Sequence, residues 1–110
     1  MIKAYIKESN NGSITLSIEG HAGAAEEGHD IVCSSVSILA YTLAQYVSKC
    51  FEKGYLKQEP TIILEKGRGS VTSAPKEEYY DVIRQGYAFA EIGLDLISRN
   101  YPQYVDKTVW

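Results

Sequence analysis

Two short stretches near the start of the chain alternate with period two, and an Asn-Gly pair lies between them. Residues 2–7 put Ile2, Ala4 and Ile6 on one side and Lys3, Tyr5 and Lys7 on the other. Residues 14–19 repeat the pattern, with Ile14, Leu16 and Ile18 against Thr15, Ser17 and Glu19. Period two places alternate side chains on opposite faces of a strand, and "SNNGS" supplies the turn chemistry of a hairpin. Two antiparallel strands with one buried face follow, and a one-sided sheet needs another layer to cover that face.

The covering layer is legible downstream. From about Cys33, the residues Val36, Leu39, Ala40, Leu43, Tyr46, Val47 and Cys50 recur at three- and four-residue steps, as on one stripe of a helix. Gly54 ends this helix, behind Lys49 and Lys53. "TIILE" and "SVTS" flank "KGRG" as a second hairpin. Pro75 with "KEEYYDVI" opens a second helix through about Ser98, striped by Tyr80, Ile83, Tyr87, Ala90, Leu94 and Ile97. Pro102 stops it, and "YVDKTVW" adds a short terminal strand. The order ββαββα predicts an α+β fold, a single layer of antiparallel or mixed sheet packed by two helices.

Length and charge set further bounds. At 110 residues the chain reads as one domain, 1–110, with no repeat or linker. A net charge of −3 argues against a direct nucleic-acid surface, which calls for a basic excess. No stretch reads as a membrane span of ~18–20 apolar residues, and "MIKAYIKESNNG" has no signal-peptide core, so a cytoplasmic location is expected. There Cys33 and Cys50 stay reduced. On one helix, 17 residues separate them by roughly 25 Å, too far to bridge. Cys50 is in phase with Leu39, Leu43 and Val47 and reads as core.

The chemistry is concentrated in "GHAGAAEEGHDIVCSS", Gly20 to Ser35, with two histidines, three acids and a cysteine among small residues. Gly20 to Asp30 shows neither period and reads as a loop. With Asp30 as N-cap, Cys33 falls in the first helical turn; with a later start, Cys33 or Ser34 is itself the cap. Either position favours the thiolate, the nucleophilic form. The amides of Cys33, Ser34 and Ser35 are then candidates for an oxyanion hole. His21 leaves the second strand on the parity of Thr15, Ser17 and Glu19, and a loop of small residues can return it to the thiol as a general base. Asp30 either orients that imidazole or caps the helix. His21, His29, Asp30 and Cys33 also comprise donors for zinc, yet their spacing matches no standard structural site, so no metal or other cofactor is expected.

"GHA" at Gly20–Ala22, followed by "GHDIVCSSVS" at Gly28–Ser37, resembles the ribosomal-processing cysteine protease (Prp) family of bacteria. The specific motif covers only this part; the second half of the chain is generic. The resemblance implies a small α+β domain that removes an N-terminal extension from a large-subunit ribosomal protein, the twenty-seventh by the usual numbering. It implies Cys33 as nucleophile, His21 as base and Asp30 as the matching aspartate. His29 stands where the family tolerates various residues. The resemblance further implies a homodimer, and a loop bearing Gly23, Glu26, Glu27 and Gly28 that orders around substrate. The extension it implies ends in an apolar, aromatic stretch followed by lysines. The reading from a different class is a non-catalytic ribosome-associated module whose loop binds a peptide or a metal.

Overall fold

A computed structural model describes residues 1–20 and 29–107 of the chain. The alternating stretches form β1 (Ile2–Glu8) and β2 (Ile14–Glu19), paired antiparallel with Glu8 opposite Ile14 and Lys3 opposite Glu19. Their loop is tight. Gly12 donates its N–H to the Ser9 carbonyl at 3.0 Å and takes φ +87°, the left-handed backbone that glycine adopts without cost.

The first helix, α1, spans His29–Glu52 and so begins four residues before the apolar stripe announces it. Periodicity detects the face that is buried (Val32, Val36, Ala40, Leu43 and Val47), not the helical residues that precede it. Its end matches expectation. Gly54 takes φ +81° and donates to the Phe51 carbonyl, while Tyr55 donates to that of Cys50, a Schellman cap.

β3 (Thr61–Glu65) and β4 (Arg68–Ser73) form the second hairpin around Lys66 and Gly67. A 3₁₀ turn at Glu77–Tyr79 separates Pro75 from α2 (Tyr80–Asn100), so the second helix starts later than Pro75 suggests. There Tyr79 stacks on Tyr55, ring centroids 4.1 Å apart. The terminal strand, β5 (Val105–Lys107), runs parallel to β1. The sheet order is β3-β4-β2-β1-β5, a mixed sheet of five strands with two helices, the expected α+β class.

Both helices cover one face of the sheet, α1 over β3 and β4, α2 over β1 and β5. Ile2, Ala4, Ile6, Ile14, Leu16, Ile18 and Val71 meet Val32, Leu43, Val47, Ile83, Tyr87 and Leu94 in one core. Ser73 also points inward, fully buried. It is satisfied by the Tyr87 hydroxyl at 2.9 Å, which itself donates to the Val71 carbonyl at 3.0 Å. Where the helices touch, a side chain at Gly86 or Gly93 would strike Tyr46 or Leu39, so these glycines set the close approach.

One expectation needs correction. By length and composition α1 contains a window long and apolar enough to cross a membrane, with mean hydropathy 1.4, the one such helix among the described residues. Between Ile31 and Ser48 it carries no charge, because serine, threonine, tyrosine and glutamine fill its polar positions. In the fold that helix lies packed on the sheet, with a third of the window buried.

Candidate active site

The chain order brings the motif to one end of the sheet. β1 starts and β2 exits at this end, and the β3–β4 turn closes it. At about 1.5 Å per residue, the 24-residue α1 is roughly 36 Å long, against ~20 Å for a six-residue strand. It finishes at the opposite end, where Leu56 bridges to Pro75. Its first residues therefore lie over the end from which β2 leaves.

That exit is held by Gly20. Its N–H donates to the Gly67 carbonyl at 2.9 Å, its φ is +99°, and a Cβ would lie 2.4 Å from the Met1 carbonyl oxygen. Any other residue needs β1 or the turn to shift, so the glycine of Gly-His-Ala has a backbone reason to be there. The close approach was not legible in the sequence, because the strand brought against Gly20 is set by tertiary pairing.

Cys33 is half-buried and packs against the core beside Val32. Neither it nor Cys50 is in a disulfide. The placement of the helix start corrects two expectations. Asp30 is the second residue of α1, inside the first turn and not at the N-cap. Cys33 is the fifth residue, one turn in, and neither a first-turn residue nor a cap. The amides of Cys33, Ser34 and Ser35, weighed as an oxyanion hole, lie past the first turn of α1. The Ser35 hydroxyl is turned onto the helix, donating to the Ile31 carbonyl at 2.7 Å.

His21, Gly23, Glu26, Glu27 and Gly28 lie outside the described residues, as do the side chains of His29 and Asp30. Of the donor set weighed for zinc, only the Cys33 side chain is described. Among the described residues no cluster of three metal-ligating side chains occurs.

A feature that sequence reading did not single out lies farther along α1. A groove of about 330 Å³ runs between the outer faces of the two helices, lined by Leu39, Thr42, Tyr46, Gly86 and Phe89 among others. Its signal was present in the Gly86–Gly93 pair, two helical turns apart inside an otherwise sound helix, where glycine costs ~1 kcal/mol unless it serves packing.

The sequence profile of one family, cysteine protease Prp, matches residues 1–106. No curated protein matches the chain. Among solved structures, an essential ribosomal processing protease Prp from S. aureus, in complex with a substrate peptide, superposes with TM-score 0.70 at 20% identity, covering 98% of each chain. The same protease with a covalently linked product peptide gives 0.69 at 20% identity, again with 98% of each chain covered. SMU.848 from Streptococcus mutans gives 0.70 at 21% identity, covering 98% of this chain and 92% of the other. At these identities the likenesses establish the fold.

Proposed function

The chain belongs to the cysteine protease Prp family, and from that premise we propose that it is the endopeptidase that removes the N-terminal extension of the twenty-seventh large-subunit ribosomal protein. The observation that carries this reading is the family match across residues 1–106, a span that contains Gly20, His21 and Cys33. The S. aureus relative bound to a substrate peptide, and to a covalently linked product peptide, supports peptide cleavage through a covalent enzyme species.

In the proposed reaction His21 removes the Cys33 thiol proton, and the thiolate attacks the scissile carbonyl. The tetrahedral intermediate collapses, the C–N bond breaks, and the leaving amine takes the proton from the imidazolium. Water, deprotonated by the same imidazole, then hydrolyses the thioester and restores the thiol. Asp30 is proposed to orient His21. Residues 22–28, with Gly23 and Gly28 as permissive points, are proposed to fold over bound peptide and to present Glu26 and Glu27 to the substrate's lysines. The enzyme is proposed to work in the cytoplasm as a homodimer.

Incubation with a synthetic peptide spanning the extension and the first mature residues, followed by mass spectrometry, tests the reading. A single cut at the end of the apolar, aromatic stretch is expected. Cleavage elsewhere, or none, overturns the substrate assignment.

A further inference from the structure

The two edges of the sheet are finished differently. β5 is three residues long and ends in Asp106 and Lys107, the short, charged form in which an edge stays unpaired. At the other edge β3 carries Ile62, Ile63 and Leu64 in succession, with no charge, proline or bulge among them. Its hairpin also fixes which backbone groups point outward. Glu65 and Arg68 close a two-residue turn and exchange both backbone bonds, while Gly67 turns its carbonyl to Gly20 on the β2 side. Alternation then directs Ile63 and Thr61 to β4 and leaves the N–H and C=O of Ile62 and Leu64 facing away from it. No strand lies on that side among the described residues. Such an edge is a template for one more strand.

The flank of α1 above this edge connects it to Cys33. α2 meets α1 at Leu39 and Tyr46, so the opposite flank of α1 looks out past β3. There Ser48 and Phe51 line a cavity of about 270 Å³ with Pro60 and Ile62, where β3 begins. Cys33 and Phe51 are 18 residues apart, about five whole helical turns, so their side chains leave α1 in the same direction. They lie roughly 27 Å apart along the helix, the reach of about eight residues of extended chain. β3 runs from the cavity toward the β3–β4 turn, at the end where α1 starts. Glu52 and Glu59 at the cavity place negative charge where the amino-terminal end of a peptide running the same way would arrive. A peptide added to a sheet edge takes affinity from backbone bonds and selectivity from pockets for alternate side chains. The segment upstream of the cut is the part that stays on the thiol after the amine leaves, and so is the part that must be held. We propose that this segment adds to β3 as a further, parallel strand, pairing with Ile62 and Leu64 and seating one apolar side chain against Phe51. The proposal rests on the protease reading above and adds how the peptide is held.

The test reads binding of the synthetic extension peptide, labelled with fluorescein at its carboxyl end, to Cys33→Ala by anisotropy, so no turnover intervenes. One backbone nitrogen at a time is methylated upstream of the cut. Methylation of residues that pair with β3 should weaken binding about 10-fold through a lost backbone bond, and methylation of those between them less than about 2-fold. The expected result is therefore an effect with period two. Ile62→Pro removes one outward N–H and leaves the bonds of Thr61 and Ile63 to β4 in place, since an edge strand tolerates proline there. It should weaken binding of the unmodified peptide about 10-fold, whereas Ile62→Val, which keeps that N–H, should have little effect. Far-ultraviolet circular dichroism checks the fold of both. If Ile62→Pro misfolds, the methyl scan still decides, because it leaves position 62 unaltered. A scan without alternation, or no binding, overturns the proposal. A flat scan with lost self-association in Ile62→Pro gives the edge to a second copy and overturns it as well. Native enzyme that cuts the peptide despite a flat scan leaves the protease reading standing. Alternation in binding with no cut by native enzyme refutes that reading and keeps the edge.

Discussion

Cys33 and Cys50 sit on the same helix, yet their surroundings differ in kind. Cys50 is buried at 4% exposure in the last turns of α1, where its carbonyl accepts the Tyr55 amide of the Schellman cap. Desolvation, with Cys50 close by, pushes the Tyr46 phenol above its ordinary range. Everything at that end serves packing and termination. Cys33 is half-buried where α1 begins, over the end of the sheet at which Gly20 is pressed against Met1. One thiol is enclosed by core; the other sits at the junction the chain must cross between strand and helix. The same element thus supplies stability at one end and is read to supply chemistry at the other.

The comparison breaks most directly at the thiols themselves. Cys33→Ala and Cys33→Ser should abolish cleavage of the extension peptide while leaving the thermal transition in place. Cys50→Ala should retain most of the activity and lose about 1 kcal/mol of stability, as a small core deletion does. Peptide cleavage by Cys33→Ala would falsify the mechanism, whatever the fold.

Next in size is the base. His21→Ala should lower kcat by ~10²–10⁴, the usual contribution of a general base. His29→Ala should cost far less. A larger loss at His29 than at His21 reverses the assignment, and about one zinc per chain by elemental analysis would then point to a metal site in place of the dyad.

A third prediction concerns the core end of the comparison and reads stability, not rate. Burial holds the Tyr87 phenol well above its ordinary pKa of about 10, the Ser73 hydrogen bond offsetting this in part. The unfolded chain releases this proton near pH 10 and the native chain does not. Above that pH the native state binds more protons, so stability falls as pH rises, by at most ~1.4 kcal/mol per pH unit. Below pH 10 the contribution is intact. Tyr87→Phe should cost ~1–3 kcal/mol at pH 8, since it strands the buried Ser73 hydroxyl. Urea unfolding at pH 8 and pH 11 checks this. The gap between native and variant should narrow at the higher pH, and a constant gap removes the titration argument.

How much of this was legible beforehand depends on whether the signal is local. Period two in residues 2–7 and 14–19 was enough for β1 and β2, because burial on one face imprints itself on alternate residues. Gly54 marked the end of α1 because the left-handed cap demands it locally. The start of α1 was misplaced, since its first residues belong to no buried stripe. That error carried the helix positions of Asp30 and Cys33 with it. The order β3-β4-β2-β1-β5 and the parallel pairing of β5 are tertiary choices with no local imprint. The proposed nucleophile and base stand in the sequence as a spaced motif, whereas the reason for Gly20 needed Met1 brought beside it.

The smallest expected effect sharpens what the proposed catalytic end recognises. Glu26 and Glu27 precede Cys33 in a chain of net charge −3, and the resemblance implies a substrate with lysines just beyond its apolar segment. Exposed ion pairs contribute only ~0.2–1 kcal/mol each, so under the proposed reading these acids adjust capture without creating the site. Replacing both with glutamine should raise KM a few-fold and leave kcat nearly unchanged. The effect should be larger in dilute buffer than at physiological ionic strength, where screening shortens to ~8 Å. Alanine in place of the peptide's aromatic residues should cost more, because an aromatic truncated in a packed site loses ~3–5 kcal/mol. Measuring both against salt separates the two contributions. If the glutamine pair dominates and the aromatic changes are tolerated, recognition at this end is electrostatic. The acids, and not apolar burial of the extension, would then decide which peptide is cut.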